Sequence, residues 1–145
     1  MSRYVYVASS WRCETQPIVV EALLLAGVAC YDFRNPPGGT GFGWREVKGS
    51  EHIPDGETVE DYLRMIEHPR AIEGYEADFA AMCAADTFAL VLPCGRSAHL
   101  ELGWAVGQGK RTAILLEDPL EPELMYRMVD FMTSDIDELV EWAGR

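Results

Sequence analysis

Basic residues are scarce in this chain: 12 Lys and Arg stand against 24 Asp and Glu, a formal net charge of −12. That balance repels the phosphate backbone of DNA or RNA at long range, so no polymeric nucleic-acid partner is expected. A small anionic ligand is not excluded in the same way. A few local arginines and backbone N–H groups hold one phosphate at short range, where the screened net charge matters little. No stretch approaches the roughly 20 apolar residues of a membrane span, and the opening MSRYVYVASS turns polar too soon for the core of a secretory leader. A cytoplasmic protein without a membrane partner is expected. The four cysteines, Cys13, Cys30, Cys83 and Cys94, include no CxxC pair. This argues for reduced thiols rather than a disulfide framework or a zinc site, and no metal or cofactor is called for. The GxGxxG fingerprint and the P-loop are missing as well, which removes the usual support for dinucleotide oxidoreductases and ATPases.

What remains is an ordinary globular composition. With 145 residues, 48% apolar and 25% charged, the chain is expected to form one domain over 1–145 around one core. Residues 4–8 read as a short strand of β-branched and aromatic residues, followed by Ser9 and Ser10 and a helical pattern over 15–26. Pro17 suits that helix's first turn, Val20, Leu23 and Leu24 supply an apolar stripe, and Ala26-Gly27 supplies the stop. A second strand is predicted over 28–33.

Residues 34–57 carry Pro36, Pro37, Gly38, Gly39, Gly41, Gly43, Gly49, Pro54 and Gly56, a density of breakers that predicts a long loop without regular structure. Loops of that length in a compact domain are commonly functional. Phe42, Trp44 and Ile53 predict that it packs over something, either as a lid over a pocket or as a surface excursion. Helices follow over 58–68, capped by Thr58, and 72–85, with Pro69 between them. The apolar run over 86–93 reads as a strand buried on both faces. A helix over 97–108, a strand over 111–116, a short helix over 122–128, a strand over 130–133 and a last helix over 135–143 complete the chain. Such alternation predicts an α/β fold: a three-layer Rossmann/flavodoxin-like parallel sheet of about five strands with helices on both faces. Ligands in that architecture bind beyond the carboxyl ends of the strands, so the loops 8–13, 33–44 and 93–101 are expected to converge on one crevice.

The segment from Pro93 to Gly103 joins a buried strand to a helix. Gly95 lets the chain turn closely, Arg96 adds a cation, and Ser97 either caps the helix or bonds an anion. A phosphate suits such a helix start, although a plain Ser-capped helix with an exposed Arg reads the same way. Glu101 is placed in the helix's first turn, where the dipole favours a carboxylate. An ionised carboxylate at a crevice can act as a nucleophile towards an anomeric carbon. Asp78, amid Ala77, Phe79, Ala80 and Ala81, is either a pocket acid or a solvated side chain. Asp86 reads as a connection residue. His99 reads as a surface histidine beside Glu101, and His52 and His68 offer it no partner spacing.

Taken together these residues resemble a known family. Tyr6-Val7-Ala8-Ser9-Ser10-Trp11-Arg12 after the first strand, Asp78 eight residues before Asp86, and Glu101-Leu102-Gly103-Trp104-Ala105 followed by Gly109-Lys110 look like the nucleoside 2-deoxyribosyltransferase superfamily, which includes the 2′-deoxynucleoside 5′-phosphate N-hydrolases. The likeness runs from about residue 4 to residue 116. It implies that Glu101 attacks C1′ of the sugar and forms a glycosyl-enzyme intermediate, that Asp78 orients the nucleophile or assists departure of the base, and that Tyr6 lies near the sugar. Water would complete hydrolysis, whereas a second base would complete transfer. Ser9, Ser10 and Arg12 match the region that holds a 5′-phosphate in the hydrolase branch, with Arg96 and Ser97 as supplements. Phe33, Arg34, Asn35, Trp44 and Gly95 would line the base and sugar pocket, Phe33 or Trp44 stacking on the ring. A small-molecule nucleotide or nucleoside is the implied partner, and a homodimer the implied assembly.

The sequence also departs from the family's pattern. The transferases carry an acidic base-recognition residue six positions before the nucleophile and the hydrolases a serine, and here that position is Gly95, the nearest serine being Ser97. Hydrolysis of a (deoxy)nucleoside 5′-monophosphate is therefore the first expectation and base transfer the second. A non-catalytic nucleotide-binding module, or an interaction protein in which Trp11, Trp44, Trp104 and Trp142 fill core or interface positions, stays open on the same fold.

Overall fold

A computed structural model describes residues 2–48 and 58–145. Residues 49–57, which include His52, Ile53 and the Pro54–Gly56 breaker of the expected loop, lie outside the described residues. By contact the chain divides into two compact units, one of Met1–Asp32 with Met82–Arg145, the other of Phe33–Ala81.

The first unit holds the strands β1 (Tyr4–Ala8), β2 (Ala29–Asp32), β3 (Thr87–Val91), β4 (Arg111–Leu115) and β5 (Phe131–Thr133), and the helices α1 (Thr15–Leu25), α4 (Arg96–Gly107) and α5 (Ile136–Gly144). The second holds α2 (Val59–Ile66) and most of α3 (Pro69–Ala84), whose last turn belongs to the first. The five strands form one sheet in the order β2-β1-β3-β4-β5, every pairing parallel. This is the doubly wound flavodoxin-like order, whose topological switch point lies between β1 and β3. The α/β three-layer expectation holds.

Alternation along each strand decides the layers. Val5, Val7, Ala89, Val91, Ala113 and Leu115 face one way, where Val19, Val20 and Leu23 of α1 and Leu139 and Ala143 of α5 complete a core cluster. Tyr6, Tyr31 and Phe88 stand on the other face, which α4 covers. The buried stripe of α1 is Gln16, Val19, Val20 and Leu23, one helical face at i, i+3, i+4 and i+7, so the Leu24 of the expected stripe points to solvent. The helix stops where expected. Gly27 takes φ 76, its N–H reaches Leu24 O at 3.0 Å and that of Val28 reaches Leu23 O at 2.9 Å, a Schellman ending that a left-handed residue makes possible. Asp86 behaves as the expected connection residue: its carboxylate accepts from Tyr4 N at 3.0 Å and from Thr87 Oγ1 at 2.6 Å. Lys110 closes the end of α3, its Nζ donating to the carbonyls of Met82, Cys83 and Ala85 at 2.9, 3.0 and 2.5 Å.

Several boundaries differ from expectation. Pro69 opens α3 instead of separating two helices, because proline at a first helical position gives up no hydrogen bond. Thr58 caps α2 as predicted, accepting from Asp61 N at 3.0 Å. The loop expected to be irregular contains a 3₁₀ turn at Trp44–Glu46. The short helix expected over 122–128 is a 3₁₀ turn, Leu124–Met128. No helix among the described residues is long and apolar enough to cross a membrane.

Candidate functional site

Tyr6 is the middle residue of β1 and is 1% exposed. It stands in register with Tyr31 of β2 and Phe88 of β3, and the three rings form a ladder with centroid separations of 5.3 and 4.9 Å. Aromatic residues in register on one sheet face lock each other's rotamers. The ladder thus fixes the direction of the Tyr6 phenol, which donates a hydrogen bond to Glu101 Oε2. The structure brings together the tyrosine and the glutamate singled out in the sequence. A charge-assisted bond of this kind holds one carboxylate oxygen in place across the β1/β3 switch point.

Glu101 is half-buried in α4 but is not in its first turn. Gly95 is the N-cap, without any side-chain cap, and the helix begins at Arg96, which puts Glu101 in the second turn. The help expected from the helix dipole is weak there, because that field is concentrated within the first turn. Ser97 is correspondingly an interior first-turn residue and not the cap. The first N–H groups of α4 have no helical partner by construction.

The loop after β1 is sewn to the end of β3. Ser9 Oγ donates to Val91 O at 2.8 Å, and Cys13 Sγ approaches Val91 O and Leu92 O at 3.8 and 3.6 Å. Ser9 therefore spends its hydroxyl proton inside the protein, and its backbone is what it can offer a ligand. Cys13 N closes a turn onto Ser10 O at 3.1 Å. Arg12, Arg96 and Ser97 are exposed, and their side chains make no hydrogen bond or ion pair among the described residues. Gln16, missed in the sequence because glutamine usually marks a solvated face, is fully buried and donates to Asp32 Oδ1 at 2.9 Å, tying the start of α1 to the end of β2.

His99 has partners that its spacing did not reveal. Nδ1 lies 2.8 Å from Gly95 O, Nε2 lies 2.7 Å from Tyr126 Oη, and Cys94 Sγ is 3.8 Å from Nδ1. A carbonyl only accepts, so Nδ1 carries a proton, and in the neutral ring Nε2 accepts from the phenol. The Cys94–His99 approach is not a thiolate–imidazole nucleophile. Burial, with Cys13 and Glu101 nearby, pushes the Cys94 thiol up to about 12, which keeps it protonated and inert. All four cysteines are free. Among the described residues, no three His, Cys, Asp or Glu side chains gather as metal ligands do.

Phe33, Arg34, Asn35, Trp44 and Asp78 belong to the second unit. Phe33 and Arg34 form the turn after β2, with the Arg34 guanidinium 5.9 Å from the Phe33 ring centroid. Pro36–Gly39 is a tight turn closed by Gly39 N on Pro36 O at 3.3 Å, with Gly38 at φ 74. Beyond it the chain is fastened to α3. Arg70 binds Glu46 at 3.0 Å, reaches Thr40 O at 3.1 Å and Gly41 O at 3.3 Å, and lies over the Phe42 ring at 5.4 Å. The Gly43 N–H and Arg70 hold the Glu46 carboxyl below its ordinary range. Phe42 packs on Gly74 so closely that a Cβ there would meet its ring at 2.9 Å. Trp44 meets Phe42 edge-on at 4.9 Å and stays half-exposed. The described part of the loop is thus fastened to α3 over Thr40–Glu46. Asp78 is half-buried on α3, between Tyr75 and Phe79, whose rings stack at 5.6 Å.

A scan against models of protein families finds no match, and a sequence search of curated proteins finds none either. Solved structures do match. A 2-deoxyribosyltransferase from the psychrotolerant bacterium Bacillus psychrosaccharolyticus superposes with a TM-score of 0.62 at 16% identity, over 94% of this chain and 90% of that one. The CMP N-glycosidase BcmB of Clostridium botulinum superposes with a TM-score of 0.55 at 16% identity, over 97% of this chain and 96% of that one. At that identity the likeness is one of fold, and it extends over nearly the whole of each chain.

Proposed function

We propose that this chain belongs with the nucleoside 2-deoxyribosyltransferase-like enzymes and is an N-glycoside hydrolase that cleaves the base–sugar bond of a nucleoside 5′-monophosphate, with Glu101 as nucleophile. Two solved enzymes that handle such bonds, by their names, share the fold. The observation that carries the reading is the Tyr6 phenol on Glu101 Oε2, a carboxylate held in a fixed rotamer beside the strand switch point.

The chemistry runs in two displacements. Glu101 attacks C1′ while the C1′–N bond breaks, giving a glycosyl ester and the departing base, to which Asp78 supplies or directs the proton. Water then attacks the same carbon, giving up one proton to the Asp78 carboxylate, and the ester bond breaks to release the sugar phosphate and return the Glu101 carboxylate. Asp78 enters on the sequence resemblance, as does the base pocket of Phe33, Arg34, Asn35, Trp44 and Gly95. The 5′-phosphate end is assigned to Ser10, Arg12, Arg96 and Ser97 with the backbone N–H groups of both loops, Ser9 among them. Exposed arginines and a helix start supply the positive field that a globally acidic chain needs to hold an anion. Gly95 in place of an acidic residue favours hydrolysis over transfer. A homodimer belongs to the same reading, and the exposed stripe of Val59, Tyr62, Leu63 and Ile66 on α2 supports a protein partner there.

Incubation with ribo- and deoxyribonucleoside 5′-monophosphates, read by release of free base, tests the proposal. Release that is abolished by Glu101→Ala in a folded protein is expected. No release from any of them at high enzyme concentration overturns it, and release only when an acceptor base is supplied makes the chain a transferase. Thermal stabilisation by a nucleotide without turnover would instead make it a binding module.

A further inference from the structure

The crossover between β4 and β5 contributes nothing to the site as drawn so far, yet one of its side chains reaches the helix that carries Glu101. Tyr126, in the 3₁₀ turn Leu124–Met128, donates to His99 Nε2 at 2.7 Å, the two ring planes being 15° apart. His99 passes the contact on. Its Nδ1–H meets Gly95 O at 2.8 Å, while the helix's own bond from His99 N to the same oxygen is longer, at 3.4 Å. The imidazole is therefore the better of the two donors that fix this carbonyl.

A trans peptide is planar, with its C=O and N–H antiparallel. Gly95 O and Arg96 N–H belong to one peptide, so fixing the carbonyl fixes the direction of the N–H. That N–H is the first unpaired donor of α4, at the end assigned to the phosphate. We propose that His99 and Tyr126 are positioning residues that aim the Arg96 N–H, and with it the first turn of α4, at the 5′-phosphate. This rests on the nucleotide reading above.

Two further observations agree. A groove of about 300 Å³ runs between α4 and the crossover, lined by His99, Leu102, Met125, Tyr126, Met128 and Val129 among others, and the His99–Tyr126 hydrogen bond joins its two sides. Burial, with Cys94 and Glu123 nearby, pushes the Tyr126 phenol up, so it remains a donor through neutral and mildly alkaline pH.

The test is calorimetric titration of the full chain with ribose 5-phosphate, which carries the phosphate and sugar without a base. His99→Leu is expected to raise Kd about tenfold, since it removes the better of the two donors to Gly95 O and the tie to Tyr126, leaving only the longer backbone bond. His99→Asn, whose amide sits where Nδ1 does, should restore binding to within about threefold of the parent, and Tyr126→Phe should weaken it about threefold. With the corresponding monophosphate the loss should appear in KM and leave kcat within about twofold. A role confined to stability would lower Tm without this split and without rescue by asparagine. Unchanged Kd in both His99→Leu and Tyr126→Phe overturns the inference while leaving the nucleotide reading intact. Should His99→Leu fail to fold, unchanged Kd in Tyr126→Phe alone overturns it. Absence of ribose 5-phosphate binding by the parent protein overturns the phosphate assignment itself, and the positioning role with it.

Discussion

The phenol of Tyr6 and the carboxylate of Glu101 meet across two layers of the fold, one rising from the third residue of β1 and the other descending from the second turn of α4. Neither side chain is free to choose this geometry. The ring is held between Tyr31 and Phe88, and the glutamate rides on a helix whose buried Ala98, Leu102 and Ala105 face inward.

Tyr6→Phe isolates the hydroxyl, because it keeps the ring ladder and removes only the donor. A hydrogen bond to a charged group is worth about 1.5–3 kcal/mol, so kcat for base release should fall about 10- to 100-fold. Loss of the same bond should lower Tm by about 3–12 °C without unfolding the protein at assay temperature. Steady-state kinetics with the preferred monophosphate, alongside a thermal melt, checks both halves. An unaltered kcat would detach Tyr6 from the chemistry.

Arg12→Ala tests the proposed phosphate end. Loss of a guanidinium–phosphate contact should raise KM for a nucleoside 5′-monophosphate about 10- to 100-fold and leave turnover of the unphosphorylated nucleoside unchanged. Equal effects on both substrates would remove Arg12 from the phosphate site.

The thiols differ in reactivity in a way that pH reveals. Burial and its neighbours push Cys94 up to about 12 and Cys30 to about 11, whereas Cys83 is exposed. With a folded-state pKa raised above pH 8, only a minute fraction of Cys94 is thiolate there, and the thiolate is the reacting form. Iodoacetamide at pH 8 should label Cys83 first. Labelling of Cys94 should climb steeply as pH rises towards its pKa, for as long as the fold persists. Peptide mass spectrometry reads the order directly, and early labelling of Cys94 would contradict it.

Gly74→Ala probes the docked loop. A Cβ at position 74 would lie 2.8 Å from Phe42 Cβ and 2.9 Å from its Cγ, and neither atom is the far end of a flexible chain. Overpacking of this kind costs about 1–3 kcal/mol. A lowered Tm and faster proteolysis near Phe42 are expected. A melt identical to that of the parent would show that the loop yields freely.

The order of strands and helices was legible in the residues alone, because each element announces itself locally. Val5, Val7, Ala89 and Val91 alternate with the strand period and meet one core; Thr58 and Gly27 mark a start and a stop through their own backbone preferences. Glu101 and Arg96 were visible as candidates from residue type beside a strand-to-helix turn, and Tyr6 and Arg12 through the family resemblance.

Other features depended on contacts between distant parts of the chain, which no local period encodes. α4 starts at Arg96 because glycine can cap without a side chain, and counted from there Glu101 is the sixth helical residue, in the second turn. His99 looks like a solvated residue until Tyr126, 27 positions later, lies against it. The aromatic ladder exists only because the register sets Tyr31 and Phe88 opposite Tyr6. Secondary structure follows from each residue's own backbone preference and apolar period, whereas strand register and crossover placement are set by the whole sheet closing on its core. The aim of the Tyr6 phenol at Glu101 was decided there.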